Sequence, residues 1–444
     1  MDIRAWYDWS QAVFQAAFDK YAELGRPILD FLNVVFDNLF HFFLYIMAFA
    51  CFVFLLMAIY TSIRKNKPSA PVDETYTPSV TVQIPTFNEP VAIRCAEACL
   101  KFDYPKDKYH ILIGDDSNKP EVSKKLNNFS AKHPQVKVIK REKNIGYKPG
   151  NLNNMLSHSK GEFLVIFDSD YIPKKDFLRK IVQPFKSDKN VAATQARWTF
   201  INDNQNLITV LIASILNVYH YVTLPFIKNR RRMSLLCGSA EAVRKSTLLK
   251  LGGWDTGNLT EDIEYSIRLV NRGYRIEYME DVTCDSEVPH TPLDLYRQQM
   301  RWAYGVISSF KKHFKAIVSN RKTTFEHKLC LGLVGCGYLV SFVLLALLTT
   351  GALSILTHAP APIDWPKFLA EMGRNIAITS GLIITTIIAM KRSHTLKQVP
   401  PMVASSFSYG IVMTYHVNKG ILKAILGRQM EWFMLNKKSN EAYS

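Results

Sequence analysis

The sequence predicts an α/β domain, built on a mostly parallel sheet, that is fused to transmembrane helices. Two observations predict this fold class. Short apolar runs alternate with helical patterns between residues 79 and 290, and long apolar runs lie on both sides of that region. Alternation of strands and helices is typical of a mainly parallel sheet with helices on both faces.

Four apolar runs are candidate membrane helices. Residues 41–63 hold no charged side chain except the edge residue His41, and residues 329–356 hold none. Because roughly 20 such residues span a bilayer as a helix, both runs are predicted to span. Residues 375–390 form a shorter candidate, and residues 400–416 could span or lie in the interface. The first run begins too late for a secretory signal peptide, so we expect an integral membrane protein.

Positive charge follows the ends of these runs. The chain has 55 Lys and Arg against 38 Asp and Glu, a net charge of +17, and basic clusters flank the runs at 64–67, 311–315 and 391–397. By the positive-inside rule, residues 64–328 are expected to be cytosolic. We expect the membrane to be the plasma (inner) membrane. Anionic membrane lipids explain the basic surplus, and no nucleic-acid partner is expected.

Shifts in composition divide the chain into seven expected segments. The first segment is amphipathic, since apolar residues such as Trp6, Trp9 and Val13 recur at helical spacing. The segments are an amphipathic N-terminal helix region (1–37), a transmembrane helix (38–64), a linker (65–78), the cytosolic α/β domain (79–295), interfacial amphipathic helices (296–326), transmembrane or channel helices (327–420) and a basic C-terminal tail (421–444).

Polar side chains follow three of the predicted strands at the point where each strand ends. In parallel sheets, ligands bind outside the carboxyl ends of the strands. Each group alone is also compatible with an ordinary turn, but three at one edge favour a nucleotide site. The groups are Thr86 with Glu89, Asp115 with Asp116, and Asp168 with Asp170.

The stretch FLVIFDSDYIP places Asp168 and Asp170 directly after a buried strand. Residues i and i+2 of a strand point to the same side, so both carboxylates can reach one cation. Oxygen ligands without neighbouring His or Cys favour Mg2+ or Mn2+ over zinc. A hydrated turn is the alternative. Without metal and donor, we expect Asp170 to be the more mobile and hydrated of the two.

Three further motifs carry polar or small residues at predicted loops and helix starts. Lys148 and Gly150 precede a helix, which suits a phosphate or a plain surface turn. Residues 237–240, CGSA, allow another chain to pass closely, and a packing role is favoured for Cys237. Thr260 is a candidate cap for a helix that starts with acidic residues, and Asp262 there is a candidate general base.

Gln298, Arg301 and Trp302 are predicted to lie on one face of an amphipathic helix, since they are spaced at i, i+3 and i+4. An indole beside a guanidinium and an amide suggests a platform for a sugar with a cation for phosphate. The alternative is an interfacial Trp anchor with an Arg that reaches the lipid headgroups.

Taken in order, these motifs resemble those of the family-2 inverting glycosyltransferases, specifically the membrane-embedded processive synthases. The resemblance covers residues 79–305 and implies a GT-A fold. QARWTFIN, GGW and QQMRWAYG are most similar to the cellulose synthase-like branch that makes β-1,4-glucan or mannan, although the chain is shorter than bacterial cellulose synthase and lacks the Arg-Thr-Pro-Lys ending. The matching motifs are PTFNEP (85–90), DDS (115–117), DSD (168–170), CGS (237–239), TED (260–262) and QQMRW (298–302).

The resemblance implies a role for each matching residue. Asp262 would be the catalytic base, and Asp170 and Asp168 would bind Mg2+ or Mn2+, with the closer metal contact from Asp170. Contacts with the nucleotide sugar are implied for Thr86, Glu89, Asp116, Lys148, Asp168 and Arg301. Contacts with the acceptor are implied for Cys237, Gly238, Glu261, Gln298 and Trp302.

The implied function is a processive inverting β-glycosyltransferase that exports its product through its own membrane helices. UDP-glucose is the first choice of donor and GDP-mannose the second, ahead of donors of the hyaluronan, chitin and poly-N-acetylglucosamine synthases. The alternatives are a non-processive lipid glycosyltransferase and an inactive scaffold. Expected partners are the growing polysaccharide and membrane lipids, with a second copy of the chain or accessory export subunits as open alternatives.

Overall fold

A computed structural model describes residues 3–23, 25–64, 71–231, 233–321, 323–359, 361–362, 364–431 and 433. Within the predicted linker, residues 65–70 lie outside the described residues, as do residues 434–444 of the predicted tail and the side chain of Trp6. The chain divides into two compact units. One comprises Met1–Leu56 and Leu339–Thr385, and the other comprises Met57–Tyr338 and Thr386–Ser444.

The described residues form eight strands and eighteen α-helices, joined by loops and short turns. The strands are β1 (Val80–Thr86), β2 (Tyr109–Asp115), β3 (Val136–Lys140), β4 (Phe163–Ile166), β5 (Ile172–Pro173), β6 (Val191–Phe200), β7 (Glu241–Arg244) and β8 (Arg275–Ser286). The helices are α1 (Ile3–Glu23), α2 (Arg26–Ile63), α3 (Ala92–Leu100), α4 (Pro120–Lys132), α5 (Tyr147–His158), α6 (Phe177–Ile181), α7 (Pro184–Ser187), α8 (Leu207–Val218), α9 (Leu224–Arg231), α10 (Lys245–Lys250), α11 (Glu261–Asn271), α12 (Pro292–Ser319), α13 (Phe325–Gly335), α14 (Leu339–Thr357), α15 (Trp365–Thr379), α16 (Gly381–Arg392), α17 (Val399–Ser405) and α18 (Ile411–Ile425).

The strands form one mixed sheet in the order β3-β2-β1-β4-β7-β6-β8-β5. Strands β3, β2, β1 and β4 run parallel, whereas β7 is antiparallel to both of its neighbours and β5 is antiparallel to β8. The predicted α/β fold with its mostly parallel sheet is therefore confirmed. The four strands predicted from short apolar runs are β1 to β4, and the helical patterns between them are α3, α4 and α5.

The carboxyl ends of the parallel strands meet at one edge, as predicted. Thr86 at the end of β1 pairs in register with Asp115 at the end of β2. Strand β4 pairs with β1 as far as Gln83 and Ile166, so Asp168 follows two residues beyond that pairing. Every residue of β1 and of β4 is buried. Burial of both sheet faces explains why these strands read as continuous apolar runs.

Three described helices are long and apolar enough to cross a membrane, and a fourth candidate is a bent pair. Helix α2 contains the predicted span 41–63 but begins at Arg26, and α14 is the second candidate. The third is the segment Leu207–Arg230, which sequence reasoning did not single out. Its apolar window is 78% buried within the protein, so much of its apolar surface packs against protein.

The predicted span at 329–356 is wrong as a single helix. A turn at residues 336–338 separates α13 from α14. Leu331 and Val334 of α13 are buried in one cluster with Ile263 of α11 and Val306 of α12. The first part of this apolar run is therefore buried against protein, and only α14 meets the criteria for a span.

The predicted span at 375–390 is also interrupted, since α15 and α16 meet at a bend of 47°. A Cβ atom on Gly381 would lie 2.4 Å from the carbonyl oxygen of Cys51, so the start of α16 lies directly against α2. The region 400–416 is divided into α17, a π-helical turn at Ser406–Gly410 and α18. Among the described residues it does not form a candidate span.

Helix α18 packs along α12. Ala303 of α12 is buried with Val417 and Ile421 of α18. The two helices touch at Gly420, where a Cβ atom would lie 2.4 Å from the carbonyl oxygen of Met300. Only glycine permits such a close approach of two helix backbones.

Candidate active site

The end of β1 is a tight turn closed by its own side chains. Thr86 Oγ1 donates to the carbonyl oxygen of Glu89 at 3.1 Å, and Glu89 accepts a hydrogen bond from the hydroxyl of Ser169. Thr86 and Glu89 are both buried. The turn after β1 is thus in direct contact with the DSD motif after β4, through Glu89 and Ser169.

The two carboxylates at the end of β2 have different partners. Asp115 is fully buried and accepts from the Ser117 amide at 2.9 Å and from the Ser123 hydroxyl at 2.5 Å. Asp116 forms a bidentate ion pair with Arg141. Arg141 Nε lies 2.7 Å from Asp116 Oδ1, and Nη2 lies 2.5 Å from Oδ2. Asp115 therefore closes the turn, as the alternative interpretation held, and Asp116 faces a cation.

Arg141 joins Asp116 to the loop that precedes α5. Its guanidinium also donates to the carbonyl oxygens of Ile145 and Tyr147, at 2.8 and 3.2 Å. Gly150 allows this arrangement, because a Cβ atom there would lie 2.1 Å from the Ile145 oxygen. Lys148 and Gly150 lie in the first turn of α5, so the helix start that carries Lys148 is thereby fixed to the end of β2.

Lys148 lies at the centre of the site. Its Nζ is 2.8 Å from Asp168 Oδ1 and 3.2 Å from Glu261 Oε1, and it donates to the Gly238 carbonyl oxygen at 2.6 Å. Although burial opposes it, the carboxylates of Asp168 and Glu261 raise the pKa of Lys148, so the amine is charged. One cation thus connects the DSD, CGS and TED motifs.

The two aspartates of the DSD motif are held in different environments. The amide of Asp168 donates to Ser239 Oγ at 2.9 Å, and the Asp168 side chain is 35% exposed. Asp170 is only 4% exposed and accepts from the amide of Glu287 at 3.1 Å. The expectation that Asp170 is the more hydrated carboxylate is wrong, because the segment after β8 covers it while Asp168 faces the cleft.

The candidate base begins α11. Asp262 lies in the first turn of that helix and is buried, as is Glu261 beside it. Thr260 occupies the N-cap position, but its side chain makes no capping hydrogen bond and instead contacts Asn258 and Ser309. Burial and the neighbouring Glu261 carboxylate raise the pKa of Asp262 to about 7, against the opposing charge of Lys148. A carboxylate with this pKa is suited to accept a proton near neutral pH.

Helix α12 carries the three predicted residues Gln298, Arg301 and Trp302, and it lies close to the start of α11. A Cβ atom on Gly305 would be 2.4 Å from the Thr260 side chain. The carboxylates of Asp168, Glu261 and Asp262 act electrostatically on the Arg301 guanidinium, whose pKa is nevertheless lowered by burial. Arg301 therefore lies within electrostatic range of the same carboxylates as Lys148.

The comparisons with known proteins agree with this geometry. The profile of the family described as "Glycosyltransferase like family 2" matches residues 78–305, just over half of the chain. The chain belongs to this family. The matched region contains every residue assigned to the site.

Two curated relatives of this family-2 glycosyltransferase come from a plant. "Probable glucomannan 4-beta-mannosyltransferase 10" of Arabidopsis thaliana is 28% identical over 82% of this chain and 66% of its own length. "Glucomannan 4-beta-mannosyltransferase 2" of the same species is 31% identical over 56% of this chain and 48% of its own length. The chain thus spans about half to two thirds of the length of these two relatives.

A solved structure shares the fold of this family-2 glycosyltransferase. It is a mannosyltransferase from Pyrobaculum calidifontis in complex with GDP-Man and Mn2+. The match has a TM-score of 0.62 with 19% sequence identity, and it covers 89% of this chain and all of that chain. The likeness confirms the expected GT-A fold.

Several residues that shape this glycosyltransferase site were not predicted from the sequence. Gln195 Nε2 and Trp198 Nε1 both donate to the Ser239 carbonyl oxygen, at 2.9 and 3.0 Å. Glu241 accepts from the Gly238 amide at 3.0 Å. Together these side chains fix the backbone of the CGS loop at Gly238 and Ser239. The Gln-Ala-Arg-Trp pattern was the available signal, but it gave no indication of its partner.

Cys237 and Trp302 both pack against apolar surroundings in this family-2 glycosyltransferase. Burial raises the pKa of the Cys237 thiol, which keeps it neutral, and its amide donates to Gln195 Oε1 at 2.7 Å. Trp302 is partly buried and packs against the apolar clusters around the sheet and α8. Gln298 is buried, and its Oε1 has no hydrogen-bond partner among the described residues. Nε2 of Gln299, the next residue of α12, is likewise buried without a hydrogen-bond partner among the described residues.

The donor set at the DSD motif fits a hard divalent cation that takes most of its ligands from elsewhere. Asp168 and Asp170 offer only oxygen atoms, and Asp168 is open to the cleft. Within the described residues, no three His, Cys, Asp or Glu side chains are grouped as metal ligands. Such a site suits Mg2+ or Mn2+, which bind through one or two carboxylates together with substrate phosphates.

Proposed function

We propose that the chain is an inverting hexosyltransferase that adds sugar from a nucleotide donor to the end of a growing β-linked polysaccharide. One observation carries this proposal. Asp262, with its pKa raised to about 7, lies at the rigid start of α11, and Lys148 connects that helix start to the strand-end carboxylate Asp168. A base for the acceptor and a charged site for the donor therefore share one cleft.

In the proposed reaction, Asp262 accepts the proton from the terminal hydroxyl of the acceptor. The hydroxyl oxygen attacks the anomeric carbon, a new C–O bond forms on the face opposite the leaving group, and the bond to the diphosphate breaks. The electron pair of the broken bond leaves with the nucleoside diphosphate. A single displacement of this kind inverts the configuration at the anomeric carbon.

Negative charge develops on the leaving diphosphate, and two cations of the chain lie where they can stabilise it. Lys148 and Arg301 both face the cleft that contains Asp168 and Asp262. A Mg2+ or Mn2+ ion held by Asp168 and Asp170 would supply further stabilisation as a Lewis acid. Preorganised charges of this kind commonly supply the largest part of an enzyme's rate enhancement.

For the donor, we propose GDP-mannose, with a β-1,4-linked mannan or glucomannan as product. The curated relatives carry the name glucomannan 4-beta-mannosyltransferase, and the solved structure of similar fold contains GDP-Man. These similarities favour the second of the two expected donors over UDP-glucose. These similarities support mannose as the transferred sugar. The described contacts of Thr86, Glu89 and Asp116 are compatible with either nucleotide base, guanine or uracil.

The apolar helices support synthesis at a membrane. Helices α2 and α14 are long and apolar enough to span a bilayer, and we propose that the catalytic domain lies on the cytosolic side of the plasma (inner) membrane. Gln298 and Trp302 on α12 would contact the acceptor sugar. Repeated transfer to one chain end, with export through the membrane helices, is the proposed use of this arrangement.

Incubation of the purified chain with a panel of radiolabelled nucleotide sugars tests the proposal. We expect polymer from GDP-mannose in the presence of Mg2+ or Mn2+, digestion of that polymer by β-mannanase, and loss of synthesis after chelation by EDTA. Polymer formed only from UDP-glucose and digested by cellulase would disprove the donor. A single glycolipid product without polymer would instead establish the non-processive alternative.

Replacement of Asp262 tests the assignment of the base. Asp262→Asn keeps the size and shape of the side chain but removes its basicity. We expect polymer synthesis to fall by roughly 100-fold or more, as for loss of other general bases. Synthesis near the wild-type rate would show that Asp262 is not the base.

A further inference from the structure

The Lys148 ammonium donates one hydrogen bond and forms two ion pairs. An ammonium carries three N–H groups, and Nζ has three oxygen partners: Asp168 Oδ1 at 2.8 Å, Gly238 O at 2.6 Å and Glu261 Oε1 at 3.2 Å. The Lys148 side chain is 20% exposed and that of Glu261 only 6%. The lysine is therefore a fixed part of the site and not a mobile surface chain.

One of these partners is a proposed metal ligand. Mg2+ and similar cations bind carboxylate oxygen at about 2.0–2.1 Å, so a bound ion and an ammonium contacting the same carboxylate would lie within a few ångströms of each other. Two positive charges that close repel strongly in a partly buried site. The charge of Lys148 thus opposes metal binding at Asp168, and a move of Lys148 away from this carboxylate favours it.

The surroundings of Lys148 provide for such a move. Glu261 and the Gly238 carbonyl also contact the ammonium, so part of its coordination survives when Asp168 is lost. The flexible four-carbon stem of lysine permits the shift. The diphosphate of an arriving donor would supply new acceptor oxygens near the start of α5.

We propose that Lys148 is an internal cation that occupies the Asp168 carboxylate in the unloaded site and yields it to a metal-bound nucleoside diphosphate. The inference rests on the proposed metal–nucleotide site. It implies that a divalent metal alone binds weakly and that metal and nucleotide strengthen each other's binding. Such coupling is reciprocal, because each ligand changes the affinity for the other by the same factor.

Binding of Mn2+ to the purified full chain without nucleotide tests the proposal directly. The free Mn2+ signal in electron paramagnetic resonance reports the bound fraction without any dependence on catalysis. We expect Lys148→Met to bind Mn2+ roughly tenfold more tightly than the wild-type chain, since the competing charge is gone. Lys148→Gln removes the charge but keeps an N–H donor for Gly238, so it tests the same point if the Met variant folds poorly.

Two further variants serve as controls. Lys143 is an exposed lysine in the segment between β3 and α5. Lys143→Met removes one positive charge that does not pair with Asp168 or Glu261. We expect it to bind Mn2+ as the wild-type chain does. Asp168→Asn removes the carboxylate for which metal and lysine compete, and we expect it to weaken Mn2+ binding whichever residue stands at position 148.

The same titration with GDP or UDP present measures the coupling. We expect the nucleotide to strengthen Mn2+ binding at least about tenfold more in the wild-type chain than in Lys148→Met. Equal Mn2+ affinities of the wild-type, Lys148→Met and Lys148→Gln chains would overturn the proposal and leave the metal site intact. Absence of Mn2+ binding in every chain, with and without nucleotide, would overturn both the proposal and the metal site on which it rests.

Discussion

Asp262 lies in an electrostatic environment that determines the pH range in which it can accept a proton. Its pKa is raised to about 7 by burial and by Glu261. Because the base must be ionised, activity is present above this pKa and is lost as the pH falls through it. We expect kcat/KM to fall about tenfold per pH unit below pH 7 and to level off above it.

The neighbouring carboxylate offers a test of this origin of the pKa. Glu261→Gln removes a negative charge that raises the pKa of Asp262, so the midpoint of the pH profile should move to lower pH. Measurement of kcat/KM between pH 5 and 9 for both chains checks the shift. An unchanged midpoint would mean that the profile reports a different group.

Gly238 separates the base from the central lysine. Its φ of +84° is unfavourable for other residues, and a Cβ atom would lie 3.3 Å from both Asp262 Oδ2 and Lys148 Nζ. We expect Gly238→Ala to lower kcat by roughly 100-fold, as small misplacements of catalytic groups do. Gly273→Ala is the matched control, since Gly273 has a φ of +81° and open space around it. An equal loss in both variants would attribute the effect to the backbone alone.

The composition of the site could be predicted from the sequence, but its pairing could not. Asp168, Glu261 and Lys148 were each identified from a motif, yet nothing in the sequence shows that Lys148 contacts both carboxylates, because they lie 20 and 113 residues away along the chain. Nor does the sequence indicate that the backbone at Glu287 covers Asp170. Contacts of this kind depend on how the loops fold over the sheet edge, which local patterns do not encode.

At the scale of elements, α12 connects the site with the C-terminal helices. It touches the start of α11 at Gly305 and Thr260, and His313 Nε2 lies 2.8 Å from Glu264 of α11. On another face it packs against α18 at Gly420. The position of Gln298, Arg301 and Trp302 therefore depends on packing well outside the cleft.

A larger side chain at Gly420 tests this dependence. We expect Gly420→Val to destabilise the fold by about 1–3 kcal/mol, since the new methyl groups would press on the Met300 carbonyl. The thermal unfolding temperature and the polymer yield should both fall. Gly373→Val on α15 is the control, because a Cβ atom at Gly373 has no neighbour within 4 Å. Equal unfolding temperatures of the two variants would contradict close packing of α18 on α12.

Strands were predicted well where burial produced continuous apolar runs, and membrane helices less well. The runs that became β1, β2 and β4 end in recognisable polar groups, whereas the two-residue strand β5 is too short to leave a pattern. The run 329–356 was misread because hydropathy does not distinguish burial in protein from burial in lipid. Leu331 and Val334 lie against the catalytic domain, while the apolar window of α14 is only 6% buried.

At the scale of the whole molecule, one compact unit contains both the sheet and the C-terminal segment from Thr386 onward. The chain leaves this unit after Tyr338 and returns to it at Thr386. Helices α17 and α18 belong to it, and they pack against α8 and α12 through Met402 and Val417 among others. The catalytic unit is thus discontinuous in sequence, and its stability depends on residues that follow the apolar helices.

Truncation after Thr385 should therefore damage the catalytic unit even though residues 78–305 stay intact. The truncated chain exposes apolar residues of α8 and α12, including Val210 and Ala303, and we expect a lower unfolding temperature, aggregation in mild detergent and loss of nucleotide-dependent Mn2+ binding. Deletion of residues 1–25 is the control, because that segment belongs to the other unit and its loss should leave Mn2+ and nucleotide binding within about twofold of the full chain. Nucleotide-dependent Mn2+ binding by the C-terminally truncated chain at full-chain affinity would show that the catalytic unit folds without α17 and α18.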